Sequence, residues 1–459
     1  MSKDKSITAA KETIKHMVPA VGISILAGAL GFSALYISPV PMVQDFGKML
    51  KFGVIISFVA SIFFLMPILF TRDHFFAQAT KKRKLKASNG AFEKILGSLT
   101  RGTLKLGPII LTIALLLTII GVVGDMKVGV ETDVEKFMPE DTQELQEIHE
   151  LRDILGTTDQ VVIMYEGANL LEERVIRWVD HQTESLADKF PDVVVNTKSI
   201  TSIFRTMNHG ELPPAPNMEE QVTNLPKNQL KMVITDEQDK GVILVGVKHL
   251  GAEDMKQFID DLRAYIEPES ELDLGVTLTG KSVLDVEMIS ALTTGRYQMT
   301  LLGIGLVFLV LLAVYRHFVK ALVAIMPISL IIGWSGGLMY VFGFEYTPLT
   351  ATLGALVIGI GTEFTILIME RFYEERRKGR DRQEAIMVAI QKIGKAIIAS
   401  GLTVIGGFSA LIISDFVILS NFGMMTVINM TLCLVSTLIV LPPTLVLFDR
   451  LVKTKEGII

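Results

Sequence analysis

Cysteine is all but absent from this chain: Cys433 is the only one in 459 residues. It falls inside an apolar stretch, so no disulfide framework can hold any part of the protein. Metal-ligand spacing of the zinc kind is missing, and so is a glycine-rich phosphate loop. Ser199 and Ser282 have no His or Cys arrangement around them that would make either a nucleophile. We therefore expect no enzyme, no cofactor and no metal site. The opening Met1-Ser2-Lys3-Asp4-Lys5-Ser6 does not read as a signal peptide, because no apolar core and small-residue cleavage site follow it closely.

Charge is scarce in eight long apolar stretches, although one fifth of the residues are charged and half are hydrophobic. The stretches lie near 18–38, 46–70, 106–124, 298–316, 320–342, 347–371, 395–415 and 420–447. Each is long enough to cross about 30 Å of hydrocarbon. The long remaining piece, 125–297, has 34 acidic and 16 basic residues, a net charge of −18 that leaves +13 for the rest. Basic residues crowd the segment from Arg72 to Lys105, the turn with Arg316 and Lys320, and the loop from Arg376 to Arg382. Lys3, Lys5, Lys11 and Lys15 at one terminus and Arg450, Lys453 and Lys455 at the other fall on the same side. The positive-inside rule makes that side cytoplasmic and sends the acidic piece outward. The expected location is the plasma membrane, multi-pass, with both termini cytoplasmic. Basic charge that follows membrane edges is not a nucleic-acid surface, so no nucleic-acid partner is expected.

The two ends of the chain are one element written twice. Residues 27–46 (AGALGFSALYISPVPMVQDF) match 403–422 (TVIGGFSALIISDFVILSNF) at an offset of 376 without a gap. The offset pairs Ser24 with Ser400, Gly31-Phe32-Ser33-Ala34-Leu35 with Gly407-Phe408-Ser409-Ala410-Leu411, Phe46-Gly47 with Phe422-Gly423, and Pro67 with Pro443. Such an apolar hairpin marks a duplicated membrane protein. The expected organisation is 1–72 as the last hairpin of a first repeat, 73–105 as a basic cytoplasmic linker, and 106–124 as the first span of a second repeat. It continues with 125–297 as an extracytoplasmic α+β domain, 298–450 as a five-span bundle and 451–459 as a cytoplasmic tail. Lysines before the first span match the charged run Arg382–Lys395, and both read as amphipathic helices along the membrane surface.

Within 125–297 strands and helices alternate. Gln160–Glu166, Val242–Lys248 and Val276–Thr279 read as strands; Thr142–Leu155, Leu171–Lys189 and Ala252–Ile266 read as helices. Two strand–helix–strand units suggest a small α+β sandwich of ferredoxin-like kind. Pro213, Pro214, Pro216 and Pro226 mark Asn208–Asn228 as a loop.

One span, an α+β domain and five more spans resemble one half of a resistance–nodulation–division (RND) transporter. The Gly-Phe-Ser-Ala-Leu run, the Phe-Gly pair and Leu441-Pro442-Pro443 resemble the MMPL-like and hydrophobe/amphiphile efflux branches. Val130 to Pro139 is similar to the entry of their porter-like outer domain. The resemblance covers almost the whole chain, with 106–459 as a second half. It implies export of lipids or other hydrophobic or amphiphilic compounds, with membrane lipids as surroundings. It also implies a separately encoded first half or a homo-oligomer as partner.

Glu363 is the one acid in an otherwise apolar sixth span, about 12 Å from Arg371 at the span's edge. An ionisable residue there costs several kcal/mol, faces a bundle interior and marks an ion or proton path. Thr362 and Thr365 add hydroxyls for a relay, and Gly361 lets another helix approach. The resemblance places the relay acid on Glu363 and an aromatic on Phe364, where these families carry Asp-Tyr; Phe cannot supply a phenolic hydroxyl. Ser400, Thr403 and Asn429 are candidate neighbours. The expected function is secondary active export driven by proton or cation flux. Two alternatives stand beside it: a protein-export accessory like SecDF, and a non-transporting sensor or scaffold of sterol-sensing type.

Overall fold

A computed structural model describes residues 3–68, 71, 89–131, 134–139, 142–157, 159–213, 230–266 and 273–452. Residues 73–88 of the expected basic linker, the proline-rich loop from Pro214 onward and the tail beyond Val452 lie outside the described residues. The chain forms two compact units, residues 1–130 with 291–459, and residues 131–290. In chain order the elements are α1 (Lys3–Ser33), α2 (Pro41–Ala60), α3 (Asn89–Lys105), α4 (Gly107–Asp125) and α5 (Gln143–Leu155). Then come β1 (Asp159–Glu166), α6 (Glu173–Lys189), β2 (Val194–Lys198), α7 (Ile200–Met207), β3 (Lys240–Val247), α8 (Ala252–Tyr265) and β4 (Gly275–Thr279). The remainder is helical: α9 (Lys281–Tyr315), α10 (Phe318–Phe342), α11 (Leu353–Arg377), α12 (Arg382–Ser409), α13 (Val417–Val435) and α14 (Leu441–Phe448).

Among the described residues eight helical segments are long and apolar enough to cross a membrane, matching the eight charge-poor stretches. Proline opens α2, α4 and α14 within their first two positions, where a missing N–H costs nothing. The seventh segment differs from expectation. Arg382–Ser409 is one unbroken helix rather than a surface helix followed by a span. Nothing between Arg382 and Ser400 breaks a helix; no proline occurs and the long side chains are good helix formers. At the other end of the chain, α1 is likewise continuous from Lys3 to Ser33.

The sixth segment, Thr350–Arg377, is central, with 78% of its apolar 18-residue stretch buried. α1 crosses it closely because glycines face each other. A Cβ on Gly28 would stand 3.1 Å from the Gly359 carbonyl oxygen, and one on Gly359 would run into the Phe32 ring. Small residues at such a crossing replace the hydrophobic drive that lipid surroundings remove.

The repeated hairpin is repeated in geometry as well. Each copy ends its first helix in a 3-10 turn, Ala34–Ile37 and Ala410–Ile413. In each, a serine hydroxyl accepts from the residue that caps the next helix: Val40 N–H to Ser38 Oγ at 3.2 Å, Phe416 N–H to Ser414 Oγ at 3.3 Å. A Cβ on Gly47 would lie 2.7 Å from Leu35 Cβ, and one on Gly423 the same distance from Leu411 Cβ. Each copy also contains a π-helical turn, Ser61–Leu65 and Ser436–Val440. The equivalent rings Phe46 and Phe422 meet edge to face at 5.8 Å, as equivalent residues do beside a two-fold axis. The surroundings differ, however. Only Val43 and Gly47 of α2 are buried, against eight residues of α13.

The unit 131–290 is built on a four-stranded antiparallel sheet in the order β2-β3-β1-β4. β1 alternates, with Val161, Ile163 and Tyr165 almost fully buried. Opposite them Ile243, Val245 and Val247 of β3 are buried as well. Val175, Ile176, Val179 and Leu186 of α6 and Phe258, Ile259 and Leu262 of α8 complete this core. Each such side chain contributes roughly 1.5–3 kcal/mol when removed from water. Val194–Lys198 is a strand that the sequence reading did not identify, being too short to show alternation.

Candidate functional site

Glu363 lies midway along α11, on a half-buried stripe with Ile360, Leu367 and Glu370 at helical spacing. Its carboxyl has no hydrogen-bond or ion-pair partner among the described residues. Gly359, one turn before it, is the point where α1 crosses. On α1, Ser24 lies one turn from Gly28 along the face that meets α11, and it is only 1% exposed. Because Gly31 meets Ile358 while Gly28 meets Gly359, the two helices run antiparallel there. Four residues back on α1 and four forward on α11 place Ser24 at the level of Glu363.

Thr362 and Thr365 are buried, and each hydroxyl donates to a carbonyl of its own helix: Thr362 to Ile358, and Thr365 to Gly361 at 3.2 Å. Gly361 faces α13, where a Cβ would stand 3.3 Å from Cys433 Sγ. One turn along α13, Asn429 is fully buried, with neither amide atom hydrogen-bonded among the described residues. Phe364 packs in the main core. Ser400 and Thr403 do not join this group. Both are exposed on α12, and the Thr403 hydroxyl donates to Ala399 O at 2.9 Å. The helix is apolar on several faces, so its pattern did not reveal which face turns inward. Ser24, the repeat partner of Ser400, is the serine that packing brings in.

A second polar cluster escaped the sequence reading. Arg296 on α9 donates to Asp125 at the end of α4, Nη1 to Oδ1 at 2.8 Å. Tyr297 and Tyr346 donate to the same carboxylate at 2.7 and 2.5 Å. The guanidinium also stacks on both rings, 3.8 Å from the centroid of Tyr346 and 4.3 Å from that of Tyr297. Burial pushes the Tyr346 phenol well above its ordinary range, so it stays a neutral donor. A Cβ on Gly336 would collide with Asp125, so only glycine leaves room there. Tyr346 N–H donates to Gly129 O at 2.8 Å, fixing the loop that leads into α11. A cavity of about 50 Å³ lies beside the cluster, lined by Thr300, Ser335, Thr350 and Val357 among others.

An apolar groove of about 750 Å³ runs between α4, α10 and α13, with Ile113, Leu117, Trp334 and Leu432 in its wall and Lys127 at one end. Trp334 turns its Nε1 to Ala114 O at 3.1 Å, leaving the ring's apolar body as wall.

The family model of the MMPL family matches residues 177–456, more than half of the chain. The chain belongs to the MMPL family. MJ1562 of Methanocaldococcus jannaschii, whose name records only a membrane location, is 25% identical over 368 residues, 76% of this chain and 94% of that one. The apo-petrobactin exporter of Bacillus anthracis is 23% identical over 232 residues, 44% of this chain and 29% of the exporter. Among solved structures, the hedgehog release protein Disp of the water bear Hypsibius dujardini aligns with a TM-score of 0.69 at 12% identity. That match covers 97% of this chain and 61% of Disp. SecDF of Thermus thermophilus aligns at 0.53 and 15% identity, covering 97% of this chain and 50% of SecDF. The MMPL-family chain thus has an RND-type membrane fold, and it spans about half to three fifths of these two solved chains.

Proposed function

We propose that this MMPL-family chain takes part in secondary active export of hydrophobic or amphiphilic compounds, driven by proton or cation flux past Glu363. The observation that carries the reading is the carboxyl of Glu363: it sits midway along the most buried span and lacks a protein partner among the described residues. A carboxyl that only tied helices together would be hydrogen-bonded across a helix interface, since even a neutral acid seeks a partner in hydrocarbon. Ser24, Thr362, Thr365 and the unsatisfied Asn429 are the polar groups that would line its path, in a site without a tyrosine. The groove beside Trp334 is the place for the cargo, because its apolar walls suit an acyl chain and Lys127 suits an acidic head.

Charge segregation supports cytoplasmic termini in a plasma membrane and an outward-facing unit 131–290. The strand order β2-β3-β1-β4, with helices following β1 and β3, supports a ferredoxin-like reading of that unit. The test is transport of a fluorescent fatty-acyl amphiphile by proteoliposomes. An imposed proton gradient should accelerate it in the wild-type chain, and Ile113→Trp, which fills the groove, should slow it. Equal rates with and without the gradient would remove the coupling.

A further inference from the structure

Where α11 ends, α12 begins and α14 ends, a charged cluster stands apart from both Glu363 and the groove. Asp449 is its centre, with a side chain that is 0% exposed. Two guanidiniums approach the same oxygen, Oδ2, by their Nε edges: Arg382 donates a hydrogen bond at 3.1 Å, while Arg376 forms an ion pair at 3.2 Å without a hydrogen bond. Arg376 spends Nη1 on the Arg380 carbonyl at 2.6 Å. The remaining Nη atoms of Arg376 and Arg382, and the whole guanidinium of Arg450, have no partner among the described residues. All three arginines line an open pocket of about 430 Å³, together with Asp381, Gln383 and Val446.

Of the two acids in and behind this pocket, each is engaged through one oxygen, and Asp449 Oδ1 accepts no hydrogen bond among the described residues. Asp381 caps α12, its Oδ1 accepting from the Glu384 N–H at 2.6 Å. Asp449 orients the two arginines by one edge and leaves the other edge of each fork unspent. Glu375 close by is ion-paired with Arg371 at 2.5 Å, Lys378 and Arg380 at 3.2 Å and Lys392 at 3.5 Å, although its Oε2 accepts no hydrogen bond among the described residues. Its cations therefore do not compete for a ligand of the pocket. Three forks converging on one open space match the oxygens of a phosphate, which arginine binds with charge-assisted, often bidentate hydrogen bonds.

The surroundings favour a lipid over a free ion. In the sequence Arg450 is flanked by Leu447 and Leu451, which are 49% and 63% exposed. A soluble phosphate has no use for exposed leucines next to its cation in the chain. A lipid whose phosphate enters the pocket lays its acyl chains along them, and basic pockets at helix ends on the cytoplasmic side recognise such headgroups. We propose that Arg376, Arg382 and Arg450 form a site for the headgroup phosphate of an anionic membrane lipid. This rests on the chain's place in a membrane and not on transport, since lipid retention needs no flux.

Native mass spectrometry of the full chain, titrated with phosphatidylglycerol or phosphatidylcholine in detergent, tests it. The wild type should retain phosphatidylglycerol and not phosphatidylcholine. Arg450→Gln removes an exposed side chain without an ion pair, so the fold should stand; affinity should drop about tenfold, the loss of one charge-assisted contact. Arg382→Gln should weaken it similarly, and the exposed Arg101→Gln, outside the pocket, should change nothing. The proposal fails if Arg450→Gln binds like wild type, if Arg101→Gln weakens binding as much, or if inorganic phosphate at the lipid's concentration displaces it. Retained lipid together with lost Glu363-dependent flux, or the reverse, separates this site from the transport reading.

Discussion

Asp125→Asn keeps the shape of a side chain and removes its charge, which isolates what the buried pair with Arg296 contributes. Arg296 has 7% of its side chain exposed, so it cannot turn to solvent once its counter-charge is gone. Tyr297 and Tyr346 lose a charged acceptor at the same time. Breaking a buried pair from one side costs about 3–5 kcal/mol, because an uncompensated charge remains. We expect that loss in reversible detergent unfolding of the purified chain. The double variant Asp125→Leu with Arg296→Met removes both charges and should recover stability to within about 2 kcal/mol of wild type, since apolar replacement of a buried pair is often near neutral. The double-mutant cycle should then report strong coupling between the two positions. A cost below about 1 kcal/mol for Asp125→Asn, the value of an exposed pair, would refute the burial and the argument built on it.

Gly359→Ala should destabilise the bundle by about 1–3 kcal/mol by pushing into the Phe32 ring, and Phe32→Leu should relieve part of that cost, read by the same unfolding assay. Gly47→Ala and Gly423→Ala meet the same atoms in the two hairpin copies; both should destabilise, and a neutral result at either would break the equivalence. In a Cys433→Ser background, an impermeant thiol reagent on intact cells should label Glu184→Cys and spare Lys84→Cys. The opposite labelling would invert the orientation.

The spans were legible because charge is scarce in them; no competing pattern produces apolar runs of that length. The hairpin was legible because its copies keep residues with fixed jobs, Ser38 and Ser414 at the turn and Gly47 and Gly423 under a leucine. Other features were hidden for physical reasons. Asp125 and Arg296 are 171 positions apart, and each resembles an ordinary charged residue at a membrane edge, so only folding reveals the pair. Ser400 and Thr403 sit on a helix with apolar residues all round, where periodicity does not choose the inner face. The repeat itself held the better clue, since Ser24 occupies the equivalent place in the copy that packs against α11. The arginines at Asp449 looked like scattered positive-inside charge, because their convergence needs α11, α12 and α14 to meet.

The central claim is that Glu363 carries the coupling ion, and proton uptake into dye-loaded proteoliposomes tests it most directly. Under an imposed pH gradient with amphiphile present, the wild-type chain should acidify the lumen faster than empty vesicles. Glu363→Gln keeps size and hydrogen-bonding capacity, so it should retain the wild-type unfolding profile while uptake falls to the empty-vesicle rate. Glu363→Asp should keep part of the uptake. Wild-type uptake by the Gln variant would contradict the account and leave Glu363 with a structural role alone.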